Sequence, residues 1–355
     1  MRACRFLTSS LLVLAIHLNA QEIVKNPSKP ANPKAGRILS LKEELRITDA
    51  GGEFFFQYPF NLKVGPDGSL YFRDRDELIR LDGRGRFLRN YYRKGQGPGE
   101  LNNVSGFECV GDLLLVHSNN PGKLVWFDVQ GRADKEISLS EVGRLEFIFH
   151  AGDTSYFFKQ GLIEPSRGAV PVAVPHFLLA VFDDAKQKRE LTSFPVRTLA
   201  VGGAMLWDSI QAAVMDGRFV FVTHSNPYSI KVFDCLARSL LRTFSRPYKR
   251  VGRPKDSRPG SITTSDGTRY VMPGSEYLND VGAMFVAKDK LWIQTSTKDP
   301  DKGALFDVFD VDGRYVDMFY LKTGGRLLAV DGDAVFIVER MPDEILNIAK
   351  YRILN

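Results

Sequence analysis

Apolar and polar residues alternate along most of this chain in short runs broken by Gly and Asp. That pattern predicts half-buried strands joined by tight turns. One unit recurs six times. Its first half is a turn followed by an apolar strand: VGPDGSLYF (64–72), VGDLLLV (110–116), AGDTSYFF (151–158), MDGRFVFV (215–222), AKDKLWI (287–293) and VDGDAVFI (330–337). Its second half is another strand that often ends on an aromatic–Asp or Asp–Gly signal, as in KLVWFDVQGR, SIKVFDCLAR and LFDVFDVDGR. Repeats of roughly 40 to 50 residues made only of strands are the mark of propeller blades. The predicted fold is therefore all-β, a six-bladed β-propeller.

Spacing fixes the register of the repeats. Gly68 to Gly111 is 43 residues, Gly111 to Gly152 is 41, and Asp289 to Gly332 is 43. Gly152 to Gly217 is 65 and Gly217 to Asp289 is 72, so two intervals carry added loops. The first excess divides between residues 160–175 and 194–208; the second is residues 245–280. The last repeat, residues 323–355, has room for only three strands, and residues 37–48 (RILSLKEELRIT) form an isolated strand candidate. Pairing that strand with the last blade closes the ring and removes an exposed sheet edge.

Four antiparallel strands per blade put the first and third turns on one face of the disc. The second turn and the connection to the next blade lie on the other. The long segments, 160–175 and 245–280, and the GQGPGE run at 95–100 all fall on this second face. Loops on a rigid scaffold usually carry function, so this face is where a site is expected.

The first twenty residues look like a signal peptide. Arg2 and Arg5 precede an apolar stretch over residues 6–18, and Leu18-Asn19-Ala20 resembles a cleavage site. The stretch is too short to span a bilayer comfortably. The expected organisation is a signal at 1–20, a Pro-rich linker at 21–36 that is extended and poorly ordered, and one propeller at 37–355. The protein is expected to be exported, periplasmic or secreted, after cleavage near Ala20.

Composition adds little beyond this. The chain is 44% apolar, enough for a large core. Cys4 leaves with the signal, while Cys109 and Cys235 fall in different repeats and are expected to be free thiols. Net charge is +6, and residues 246–269 hold seven Lys and Arg against Asp256 and Asp266. This run is read as a solvated loop. A nucleic-acid binder would spread a basic stripe with interleaved aromatics over a face, so no nucleic-acid partner is expected.

The GQGPGE run and the FDVFDVDGRYV run at 306–316 resemble bacterial six-bladed propellers of the NHL-like group. The resemblance covers roughly residues 37–355. It implies the fold and export, and it implies no reaction.

Few motifs carry chemistry. The GQGPGE run leads into a strand rather than a helix, so it is a tight connection between blades and not a phosphate loop. Asp299-Pro300-Asp301-Lys302-Gly303 lacks the further ligands of a calcium loop and is read as a turn. His117 and His224 stand at equivalent places, in VHSNNPG and THSNP. They could bind a metal or act as a base. Equally, His-Ser-Asn turns simply end strands well. His150 and His176 are read as structural.

Two functions remain. The preferred one is a monomeric binding scaffold for a protein, peptide or glycan, without cofactor or catalytic residues. Arg73, Asp74, His117, His224 and Glu339 are then the candidate ligand-binding side chains, ringing the top of the channel. The alternative is a lactonase- or lyase-type enzyme with Ca or Zn in the channel. The predicted inner strands are mostly apolar, Glu108, Glu146 and His150 being the main exceptions, and this disfavours a rich metal cage.

Overall fold

The computed structural model describes residues 22–48, 54–142, 144–162, 171–182, 187–202, 204–224, 226–258, 260–272, 276–342 and 345–354. The expected signal peptide lies outside them. Six small antiparallel sheets form a six-bladed propeller. The inner strands are Pro59–Val64, Val104–Val110, Leu145–Ala151, Ile210–Met215, Val281–Ala287 and Gly325–Asp331. Each opens one blade, and the blades are numbered in that order.

The alternation seen in the sequence sorts side chains between neighbouring blades. In blade 1, Leu70 and Phe72 pack toward blade 6 while Tyr71, between them, packs toward blade 2. Six buried apolar clusters result among the described residues, one at each interface between adjacent blades. The ring is thus held by its interfaces rather than by one central core.

The third turns of blades 1, 2 and 5 share one device. Asp82, Asp128 and Asp310 each accept the backbone N–H of the Arg four residues on, at 2.8–2.9 Å. A Gly with positive φ precedes each Arg. At Gly313, φ is +75° and a Cβ would lie 2.6 Å from the Phe244 ring of blade 4, so both backbone and packing require glycine.

The N-terminal segment closes the ring, and does more. Ser40–Ile47 pairs antiparallel with the last strand, Leu346–Leu354, as the outer strand of blade 6. Arg37–Ile38, expected within that same strand, instead pairs parallel with Tyr315–Leu321 at the edge of blade 5. Glu22–Lys25 pairs parallel with Ser239–Ser245 at the edge of blade 4. The segment expected to be a poorly ordered linker is therefore extended but docked.

Its prolines explain how it docks. Asn26, Ala31, Asn32 and Gly36 donate backbone bonds to blades 4 and 5. Pro27, Pro30 and Pro33, which have no donor, fall between them. Asn26 is the clasp: its amide donates to Gly313 O at 2.8 Å and accepts from Tyr315 N–H at 2.8 Å. The result is a strap over three consecutive outer edges.

Blade 3 also has a fifth strand. Val172–Phe182 and Lys188–Val201 form a long hairpin, and Ala204–Trp207 adds to its edge. Residues 163–170 of the expected loop lie outside the described residues. The 245–280 insertion carries a small hairpin, Ser261–Thr263 with Arg269–Val271. That hairpin leans on the fifth strand of blade 3.

The insertion's basic run is not wholly solvated. Arg246 is buried against Asp307, and Arg250 pairs with Asp280 at 3.0 Å. Arg246 ties the loop to blade 5, and Arg250 closes it on its own end.

Candidate functional site

Two cavities follow the axis. The larger, about 790 Å³, is lined by the inner strands of blades 1 to 4. Lys63 and Glu108 form an ion pair at 2.7 Å within it, joining blades 1 and 2. Glu146 from blade 3 faces it without a bonded partner among the described residues. Enclosure by the channel walls pushes the Glu146 carboxyl above the usual range, an effect Arg144 partly offsets.

The second cavity is a recess of about 400 Å³ at the mouth of the channel, on the face that carries the long loops. Arg73 enters from the end of the second strand of blade 1. Ser105 and Glu146 start the inner strands of blades 2 and 3, and Gln160 ends the second strand of blade 3. Met205 and Trp207 come from the fifth strand of blade 3. Of the three tryptophans in the chain, only Trp207 is largely exposed, at 49%. Its position follows from the added hairpin, which carries the strand beyond the face of the disc.

The five side chains singled out from the sequence are not gathered at one place. Arg73 lines the recess. It stacks on Phe60 at 4.5 Å and donates long bonds to Ser105 O at 3.4 Å and Arg75 O at 3.3 Å. Burial holds its guanidinium down at about 10. Asp74 is buried, and its carboxylate accepts the backbone N–H groups of Gln57 and Tyr58 at 2.8 and 2.5 Å. Glu339 pairs with Arg46 of the closing strand at 2.8 Å and accepts from Tyr351 at 3.0 Å. It thus joins the seam of blade 6.

His117 and His224 lie at different blade interfaces. His117 is fully buried against Phe147 and Phe157, between blades 2 and 3. His224 is half-buried against Phe194 of blade 3. Desolvation lowers both imidazoles, His117 to about 3.

Ser105 Oγ stands 2.5 Å from His117 Nδ1, a nucleophile–base spacing beside the recess. Two features oppose that chemistry. Among the described residues no carboxylate orients the ring, because His117 Nε2 has no partner there. An imidazole held near 3 is also too weak a base at neutral pH to take the serine proton. Ser105 Oγ accepts from Phe147 N–H at 3.3 Å. It is therefore a link between blades 2 and 3.

Among the described residues no three His, Cys, Asp or Glu side chains are gathered to hold a metal ion. His150 bonds Ser155 and Gly152 and packs on Trp126, as a structural residue does. The GQGPGE connection is bound to itself and to blade 2: Gly97 N–H donates to the Glu100 carboxylate, and Lys123 donates to Gly97 O at 2.8 Å.

Sequence reasoning missed Met205 and Trp207. The one available signal was the excess length between Gly152 and Gly217, which marked residues 194–208 as added without saying what they present.

No family model matches the chain, and no curated protein matches it. Similar solved structures exist. A protein of Bacteroides fragilis NCTC 9343 predicted to be exported matches with a TM-score of 0.54 and 12% identity, over 94% of this chain and 100% of its own. A member of the DUF4221 family from Bacteroides vulgatus ATCC 8482 matches with a TM-score of 0.56 and 11% identity, over 90% and 99%. At such identities the likeness establishes the propeller fold alone. No helix among the described residues is long and apolar enough to cross a membrane.

Proposed function

We propose that this protein is an exported, monomeric binding scaffold whose ligand sits over the recess at the channel mouth. The ligand is a protein, peptide or glycan. One observation carries the reading: the added strand of blade 3 presents Met205 and Trp207 to solvent beside Arg73, at the mouth of a channel. Large exposed apolar side chains at the rim of a concave site are where recognition concentrates. Export and kinship with NHL-like propellers belong to the same reading. They rest on residues 1–20 and on the GQGPGE and FDVFDVDGRYV runs.

Glycan and peptide arrays test it. The wild type should mark a restricted set of features, and Trp207→Ala should lose them without a change in melting temperature. Binding that survives Trp207→Ala would place the partner elsewhere and refute the recess.

A further inference from the structure

We propose that the recess is a seat for a carboxylate-bearing saccharide, with Arg73 taking the carboxylate and Trp207 stacking on the sugar ring. This rests on the reading of the recess as the binding site.

Arg73 is the main reason. It lies partly buried in the recess wall, yet no carboxylate pairs with it among the described residues. Its two Nη contacts, at 3.3 and 3.4 Å, are long and go to neutral carbonyls. Its Nε is enclosed and has no acceptor among the described residues. Every other buried or half-buried arginine discussed above, Arg46, Arg246 and Arg250, has an acidic partner within 3.0 Å. A guanidinium is a planar fork of donors that fits a carboxylate on two bonds. Arg144 adds a second positive charge on the same rim.

The rest of the lining favours a sugar over a peptide. Gln160 Nε2 is a second enclosed donor without an acceptor among the described residues. Glu146, which faces both recess and channel, is placed to accept from hydroxyl groups. Trp207 offers an open ring face. A peptide tail would want several apolar pockets, whereas the exposed apolar lining is Met205 and Trp207 alone, and the outer edge of Ala204–Trp207 is approached by the small hairpin of the 245–280 insertion. The volume, about 400 Å³, lies in the range of roughly 300–1,000 Å³ usual for small ligands.

The test is calorimetric titration of the full chain with uronic-acid di- and trisaccharides and with their neutral counterparts. Peptides with free or amidated C-termini are titrated in parallel. The acidic sugars should bind about tenfold tighter or more than the neutral ones, the effect of one charge-assisted pair. Arg73→Gln should erase that discrimination, and Trp207→Ala should weaken acidic and neutral sugars alike. Trp207 is exposed, so its variant stays informative even if Arg73→Gln disturbs folding.

Equal binding of acidic and neutral sugars, lost in Trp207→Ala, would overturn the carboxylate and leave the recess as a glycan site. Preference for a free peptide C-terminus, lost in Arg73→Gln with no sugar bound, would overturn the saccharide. Absence of binding to every probe at millimolar concentration would overturn the inference, while the array experiment decides separately whether the recess binds anything.

Discussion

The two halves of the ring are built differently. Blades 4, 5 and 6 are strapped: the N-terminal segment pairs with all three outer edges. Between blades 4 and 5, Asp307 is fully buried and accepts from Arg246 at 2.6 Å, Tyr228 at 2.7 Å and Tyr315 at 2.6 Å. The Arg246 guanidinium lies over the rings of Tyr228, Tyr248 and Tyr315. Blades 1, 2 and 3 have no strap among the described residues. Their walls hold both axial cavities, with blade 4 completing the larger one. On the strapped side Arg46, Arg246 and Arg250 pair with Glu339, Asp307 and Asp280. On the open side Arg73 and Glu146 have no bonded ionic partner among the described residues. The contrast sets a half whose outer edges are strapped beside the half that holds the proposed binding recess.

Breaking the strap gives the largest effect. Deleting residues 40–47 bares the edge of blade 6 and severs Arg46 from Glu339. The expected outcome is loss of the soluble species the parent forms, read by size-exclusion chromatography. A deletion that elutes and melts like the parent would remove the strap from the comparison.

Asp307→Ala comes next. It leaves Arg246 buried without its partner, which costs about 3–5 kcal/mol in comparable buried pairs. Urea unfolding would show the shift, and a loss below about 1 kcal/mol would mean the cage is not a keystone.

On the open side, His117 predicts a pH dependence. Its folded pKa is about 3 against an ordinary 6.5. Below 6.5 the unfolded chain takes up a proton that the folded chain refuses. Stability therefore falls as pH drops from 6.5 toward 3, by about 1.4 kcal/mol per unit. His176 and His224 are also lowered, so they act in the same direction. His117→Asn should flatten the slope of the urea midpoint against pH; an unchanged slope would assign it elsewhere.

Asn26→Ala should cost the least, about 1–2 kcal/mol, from the loss of its side-chain bonds to Gly313 and Tyr315. Hydrogen exchange should then quicken along residues 22–38 and not in blades 1 to 3.

The sequence made the blades legible because period-two alternation and Gly/Asp turns are local signals. All six inner strands lie where the repeats place them, and residues 40–47 of the expected closing strand pair with the last blade. Cys109 and Cys235 fall in different blades and are free, as the repeats imply. The strap was hidden because its pairing partners lie more than two hundred residues away, and its prolines look like linker chemistry until the docked positions are known. The site was hardest to see. Asp74, His117 and Glu339 carry polar chemistry, but their partners Tyr58, Ser105 and Arg46 come from other strands or from chain beyond the blade strands. Composition cannot tell a paired carboxylate from an open one.

The division between halves is tested most directly by probing the glycan and peptide arrays with Trp207→Ala and Asn26→Ala side by side, at a temperature where both are folded. Asn26→Ala should reproduce the wild-type pattern despite its lower stability, and Trp207→Ala should erase that pattern at wild-type stability. A pattern lost with Asn26→Ala and kept with Trp207→Ala would contradict the division and move the binding surface to the strapped half.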